Sequence, residues 1–149
     1  MTDGEPRLSK LSRSVEGKVA IVTGAGSGMG LATARLFADE GARVVVADIG
    51  VDRVAAAVEE IRGAHGDGSA LAAPCDVGVP AQLRSLVDDT IGWAGRLDIV
   101  VNNAGISLVN SAFQDEAEYE DNWARTLDVN LTAHARLVRL AAAHLIDSG

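Results

Sequence analysis

Lys18-Val19-Ala20-Ile21-Val22-Thr23-Gly24-Ala25-Gly26-Ser27-Gly28-Met29-Gly30 decides the fold of this chain. A short β-branched run passes through four glycines into Leu31 to Glu40, a segment with the apolar spacing of a helix. Glycines at a strand-to-helix junction let the backbone approach a pyrophosphate closely. The first turn of the helix then aims unpaired N–H groups and a positive dipole end at the same point. The spacing is Thr-Gly-x-x-x-Gly-x-Gly. It misses the strict fingerprint Gly-x-Gly-x-x-Gly, since counting from Gly24 puts Met29 in the last position and counting from Gly26 puts Leu31 there. No Lys-Ser/Thr pair follows the glycines, which excludes a nucleoside-triphosphate P-loop. A tight turn without a ligand is the plain alternative at this stage.

Outward from this junction, strand and helix alternate. Ala42 to Ala47 forms a second apolar run ending at Asp48, and Val51 to His65 has helical spacing through Val54, Ala55, Val58 and Ile61. A third strand is predicted over Ser69 to Cys75, a helix over Val79 to Trp93, and a fourth strand over Leu97 to Val101 that runs into Asn102-Asn103-Ala104-Gly105. Ile106 to Ala117 is looser, and one long amphipathic helix is predicted from about Glu118 to Ile146. Its apolar stripe is read as Leu127, Leu131, Ala135, Val138, Ala142 and Leu145. Strictly alternating units with right-handed crossovers give a doubly wound parallel α/β sheet. Pro74 lies inside the third strand and cannot donate to a central ladder, so that strand belongs at an edge. The order 3-2-1-4 puts it there.

Composition agrees. At 149 residues the chain has the length of one domain, and it is 48% hydrophobic but only 3% aromatic, so its interior is built from Val, Ile, Leu and Ala. Thirteen basic residues against 21 acidic ones give a net charge of −8, which argues against nucleic acid or an anionic membrane as partner. Cys75 is the only cysteine; it excludes an internal disulfide and points to a reducing, cytoplasmic setting. Residues 1–15 read as a flexible polar tail without the apolar core of a signal peptide, and residues 16–149 as one nucleotide-binding domain. No window reaches the roughly 18 apolar residues of a membrane span. No spacing of His, Cys, Asp and Glu suggests a metal site. Trp93 and Trp123 read as helix anchors.

In a wound sheet, ligands sit beyond the carboxyl ends of the strands, where the glycine loop, Asp48, Asp76 and Asn102 to Gly105 all gather. Asp48 is placed to accept the hydroxyls of an adenosine ribose and to repel a 2′-phosphate, and neither Ser27 nor Ile49 is basic, so NAD is preferred over NADP. Helix capping is the competing role for Asp48. Asp76 can hold an adenine amino group while Val77 packs on the ring, with a simple cap as the alternative.

Taken together, Thr23 to Gly30, Asp48, Asp76-Val77, Asn102-Asn103-Ala104-Gly105 and Asp128-Val129-Asn130-Leu131 closely resemble the short-chain dehydrogenase/reductase family, over about residues 16 to 149. The resemblance implies a Rossmann-type fold and NAD(P)-dependent hydride transfer between a secondary alcohol and a ketone. It implies cofactor contacts from Gly24, Ser27, Gly28, Met29, Gly30, Asp48, Ile49, Asp76, Val77, Asn103, Ala104 and Gly105, and a catalytic role for Asn130, one helical turn from His134. The family's remaining catalytic groups are a serine and a Tyr-x-x-x-Lys pair, and neither is present. Tyr119 precedes Asn130 and has Trp123 where the lysine belongs, while Ser148 falls too early. The expectation is therefore a truncated cofactor-binding part, inactive alone, with an open fourth strand, belonging to an enzyme that forms homo-oligomers when complete. A non-catalytic NAD-binding or interaction module is the alternative. A methyltransferase also carries a glycine loop and a following acid, but Asn102 to Gly105 and Asn130 speak against it.

Overall fold

The structure, a computed structural model, describes residues 14–148; most of the expected N-terminal tail lies outside the described residues. Four strands form one parallel sheet: β1 (Val19–Thr23), β2 (Arg43–Asp48), β3 (Ala70–Pro74) and β4 (Ile99–Val101), in the order β3-β2-β1-β4. Helices α1 (Gly28–Asp39), α2 (Val51–His65) and α3 (Pro80–Ala94) make the crossovers. After β4 come α4 (Glu116–Leu127), a π-helical turn (Asp128–Thr132) and α5 (Ala133–Asp147). The wound order read from the sequence is the one observed. Pro74 lies on the edge strand β3, opposite Asp48, where its missing N–H removes no central ladder bond. The register pairs Val22 of β1 with Val46 of β2 and with Val101 of β4, which aligns the carboxyl ends of all three strands.

Period-2 alternation divides the strands between two cores. Ile21, Val45 and Ala47 face α3 and α5, packing with Leu83, Leu86, Val87, Val129, Ala133, Leu137 and Ala141. Val22, Val44 and Val46 face α1 and α2, packing with Ala34, Ala38, Val54, Ala57, Val58 and Ile61. Both faces of the sheet are covered, as a parallel sheet requires. At the amino end of β1, the buried Asp98 carboxylate accepts the Val19 N–H at 2.8 Å and pairs with Arg96 and Lys18. Burial alone would push this carboxyl up, but the Arg96 hydrogen bond, the Val19 N–H and the two cations outweigh it and hold it below the usual carboxylate range.

The single long helix expected over residues 118 to 146 is corrected in two respects. It begins at Glu116, capped by Asp115 accepting the N–H groups of Ala117 and Glu118, and it is interrupted by the π-helical turn. Its buried face is also not the expected stripe. Val129, Ala133, Leu137 and Ala141 are buried, whereas Leu127, Leu131 and Val138 are 41%, 65% and 47% exposed. Ala133 and Ala141 flank the fully buried Leu137 on the inner face of α5, with Leu140 and Leu145 partly buried beside them. Trp93 does anchor α3, with the Arg43 guanidinium 4.1 Å over its ring, but Trp123 is half exposed.

Truncating Leu137 to alanine is expected to cost about 2–5 kcal/mol of unfolding free energy, and Leu131→Ala less than about 0.5 kcal/mol. Urea unfolding of the two variants measures the difference. A larger loss at Leu131 would restore the stripe read from the sequence.

Candidate functional site

Beyond the carboxyl ends of the strands lies a cleft of about 410 Å³, lined by Gly24, Ser27, Met29, Asp48, Ile49, Asp76, Val77, Asn103, Ala104 and Gly105, all expected from sequence. Arg53, Cys75, Ile106, Arg125 and Val129 line it too. Two of the expected glycines, Gly28 and Gly30, are not part of this lining. Gly30 is buried under the loop, and a Cβ there would overlap the Gly24 carbonyl oxygen. Gly28 opens α1. The loop turns at Gly24, whose φ of +65° is a glycine conformation and whose added Cβ would sit 2.9 Å from the Ala104 Cα. Close approach of this loop to the β4 loop is thus a glycine requirement at both positions.

Thr23 fixes the loop from below. Its hydroxyl oxygen accepts the N–H groups of Asn103 and Ala104, each at 3.0 Å, and donates to the Val101 carbonyl at 3.3 Å. The Asn103 side chain donates in return to the carbonyls of Thr23 and Gly24, at 2.9 and 3.3 Å. Thr23 is 1% exposed, so these partners are its only relief from desolvation. Above the loop, Ser27 occupies the N-cap position of α1 in an extended conformation, yet its side chain makes no capping bond. The first N–H groups of α1 have no acceptor within the helix, so the cleft rim at Ser27 and Met29 is rich in donors. An anion at this rim meets the chemistry it needs, and the pyrophosphate of a dinucleotide fits the residues present.

At the far end of the cleft, Asp48 is almost wholly buried and holds three donors: Gly50 N–H at 2.8 Å and Arg53 at 2.7 Å on Oδ1, and Gly26 N–H at 3.1 Å on Oδ2. Burial pushes its carboxyl up, and these hydrogen bonds together with the Arg53 charge outweigh that and hold it below its ordinary value. It does not cap α2; Gly50 does. Asp76 follows the same pattern, accepting Gly78 N–H at 2.9 Å and Arg125 at 2.7 Å. Here too burial works upward, and the Arg125 and Gly78 bonds bring the carboxyl below its usual range. Burial next to Asp76 pushes the Cys75 thiol up to about 11, which leaves it an unreactive thiol. Among the described residues there is no cluster of three metal-ligating side chains.

Asn130 lies in the π-helical turn, outside the cleft lining, and reaches the cleft through Ile106. Its Oδ1 accepts the Ile106 N–H and its Nδ2 donates to the Ile106 carbonyl, both at 2.8 Å. One helical turn on, the His134 ring lies 3.0 Å from the Ala104 carbonyl, an acceptor, so the proton is on Nε2. The β4 loop is therefore held from one side by Thr23 and from the other by Asn130 and His134. Sequence reading did not single out Arg53, Arg125 or the structural role of Thr23. An arginine five positions after the aspartate, on the first turn of the next helix, was the available signal for the first.

Residues 18–149 match the family model described as short chain dehydrogenase, and the chain belongs to that family. Momilactone A synthase of Oryza sativa subsp. japonica is 38% identical over 148 residues, covering 95% of this chain and 52% of the rice protein. Among solved structures, a 7α-hydroxysteroid dehydrogenase complexed with NADH and 7-oxo glycochenodeoxycholic acid superposes with a TM-score of 0.82 at 36% identity, over 91% of this chain and 51% of that one. The L-sorbose reductase of Gluconobacter frateurii, complexed with NADPH and L-sorbose, gives a TM-score of 0.83 at 31% identity, over 91% of this chain and 50% of that one. The chain spans about half the length of the curated relatives it matches.

Replacing Thr23 by valine keeps the shape and leaves the Ala104 N–H without its acceptor, while the Asn103 N–H keeps the Val101 carbonyl at 3.0 Å, so a loss of about 1–3 kcal/mol is expected, and Thr23→Ser stays within about 1 kcal/mol of the parent. Denaturant unfolding of the pair separates the lost hydroxyl from the lost methyl. For Asp48 the sign follows from its depressed folded-state value. Its stabilising contribution is complete above the ordinary carboxylate range and is lost as pH falls through the lower folded value. Asp48→Asn is accordingly expected to destabilise the protein at about pH 7 and to narrow its stability difference from the parent towards about pH 2, as followed by thermal melting.

Proposed function

We propose that this chain supplies the dinucleotide-binding part of an oxidoreductase that transfers hydride between a secondary alcohol or ketone and a nicotinamide cofactor, with NAD preferred. The observation that carries the proposal is the convergence of four strand ends on one cleft that has an anion-binding helix terminus at one side and a buried aspartate at the other. The 7α-hydroxysteroid dehydrogenase structure with NADH and the L-sorbose reductase structure with NADPH support a nicotinamide dinucleotide as the ligand. In this reading Gly24, Ser27, Gly28, Met29 and Gly30 surround the pyrophosphate, Asp48 and Ile49 the adenosine ribose, Asp76 and Val77 the adenine, and Asn103, Ala104 and Gly105 the path to the nicotinamide. The bound cofactor supplies the hydride acceptor or donor.

What the chain's own residues contribute is position. Thr23 and Asn103 set the height of the β4 loop under the cofactor, and Val129, Val77 and Ile106 exclude water from it. Both polar ends of the Asn130 side chain are engaged by Ile106, so Asn130 is assigned as a positioning residue that fixes the loop through the π-helical turn. Residues 1–149 contain one tyrosine, Tyr119, and no lysine four positions after it. Binding without turnover is therefore assigned to the 149-residue chain itself. Self-association belongs to the same proposal: Trp123, Leu127, Leu131 and Val138 leave apolar area on the outside of α4 and α5.

A second reading, a nucleotide-binding interaction module without catalysis, draws on that same surface and on the free edge of β4. NADH production from secondary alcohols by the whole protein would dismiss it.

Ser27→Asp tests the site without harming the fold. Aspartate is a better N-cap than an unused serine, so stability is expected to hold or rise, while the added carboxylate repels a pyrophosphate at the helix terminus and weakens NADH binding by about thirtyfold or more. NADH fluorescence titration measures it. Unchanged affinity in a stable variant would remove the pyrophosphate from this rim.

A further inference from the structure

We propose that Met29 is an oxidation-sensitive site of this protein: a peroxide converts its thioether to a sulfoxide, and the sulfoxide weakens the hold of the cleft on a nicotinamide dinucleotide. The inference rests on the assignment of the cleft to such a dinucleotide and adds a chemical control to it.

Met29 is the second residue of α1, and it lines the cleft while remaining 80% exposed. That exposure is a consequence of the loop. Gly28 and Gly30 on either side carry no side chain, and a Cβ built on Gly28 would meet nothing within 4 Å. A small oxidant therefore reaches the sulfur from open solvent. The cleft is lined by a second sulfur, and the two differ in what an oxidant needs. Cys75 is 5% exposed, and burial beside Asp76 pushes its thiol up to about 11, so it offers neither access nor thiolate. A thioether needs no deprotonation, so at Met29 exposure alone sets the susceptibility.

Hydrogen peroxide is the only co-reactant the step requires. The sulfur takes one oxygen atom as the O–O bond breaks and water leaves; the sulfur is oxidised by two electrons and the peroxide reduced by two.

The effect on the cleft follows from where the sulfur sits. The first N–H groups of α1 have no acceptor within the helix, and the Ser27 side chain does not cap them. A sulfoxide oxygen is a strong acceptor with partial negative charge. Carried beside these donors and the positive dipole end, it turns towards them and competes with an incoming anion for the same bonds. The oxidised side chain is also bulkier and polar in the space a pyrophosphate takes. Both effects act against the dinucleotide, and neither touches the interior, since Met29 belongs to neither hydrophobic core. A bound dinucleotide covers the same sulfur, so occupancy of the cleft and oxidation of Met29 oppose one another.

The test treats the 149-residue protein with hydrogen peroxide, removes the excess with catalase and titrates NADH by fluorescence, while peptide mass spectrometry reports the oxygen added at Met29. Conversion of Met29 is expected to raise the NADH dissociation constant by about fivefold or more, with the melting temperature unchanged. Methionine sulfoxide reductases are expected to restore the affinity and a dithiol alone is not, which separates the thioether from Cys75. Saturating NAD is expected to slow oxidation of Met29 by about threefold or more relative to free methionine in the same solution. In Met29→Leu, whatever its own affinity, peroxide is expected to leave the dissociation constant where it stood, and Met29→Ile gives the same readout should the leucine variant melt early. The proposal is overturned by a dissociation constant that moves less than about twofold on full conversion of Met29, by an equal loss of affinity in Met29→Leu, by recovery with the dithiol alone, or by oxidation of Met29 at one rate with and without NAD. A folded protein that binds no NADH before treatment would instead remove the dinucleotide assignment of the cleft, and this inference with it.

Discussion

One buried hydroxyl carries the geometry of this molecule's cleft. Thr23 ends β1 at the point where the chain must leave the sheet for the glycine loop, and the same oxygen receives the first two N–H groups of the loop leaving β4. Parallel strands have no turn to join their ends, so neighbouring carboxyl-terminal loops would otherwise be free to splay. Asn103 closes the link in the opposite sense by donating to the carbonyls of Thr23 and Gly24. Once these bonds exist, the Gly24 backbone is pressed against Ala104, and residues 24 and 30 have no room for side chains. The floor of the cleft, the direction of α1 and the choice of glycine all descend from that contact.

A second constraint is electrostatic. The chain carries a net charge of −8 and yet builds a cleft for which the best-fitting ligand is itself an anion. Two devices reconcile these facts. The N-terminus of α1 offers backbone donors and a positive dipole end with no cationic side chain. Each of the two carboxylates facing the cleft, Asp48 and Asp76, is matched by an arginine at 2.7 Å, so neither presents an open charge. Among the described residues, most of the other acidic side chains are exposed on helices, where water solvates them.

The parts of this structure that were legible in the sequence are those fixed by short-range rules. The strand order followed from alternation, handedness and one proline, and the cleft lining followed from residues at strand ends. The buried face of α5 was not legible, because more than one line of apolar residues runs along the helix at helical spacing. The line that is buried, Val129, Ala133, Leu137 and Ala141, is rotated from the one read through Leu131, Ala135, Val138 and Ala142, and both mix alanines with larger side chains. The π-helical turn compounds the error by adding a residue that rotates α5 relative to α4, so no single stripe runs through both. Arg53 escaped for a different reason. Its partner lies five residues back across a turn, a distance that neither strand nor helix periodicity marks.

The π-helical turn also explains how two distant surfaces are joined. In an unbroken α-helix, Asn130 would be one more polar residue that weakens the segment. Here its amide substitutes for a backbone partner of Ile106, and His134 adds a bond to Ala104 from the start of α5. The loop from Asn102 to Ile106 is consequently a bridge between the β1 terminus on one side and the α4–α5 arm on the other. The outer face of that arm carries the exposed Trp123, Leu127, Leu131 and Val138, so anything that covers it packs one helix diameter from the bonds that position the cleft. Three hydrogen bonds, two from Asn130 to Ile106 and one from His134 to Ala104, tie that arm to the loop that borders the cleft.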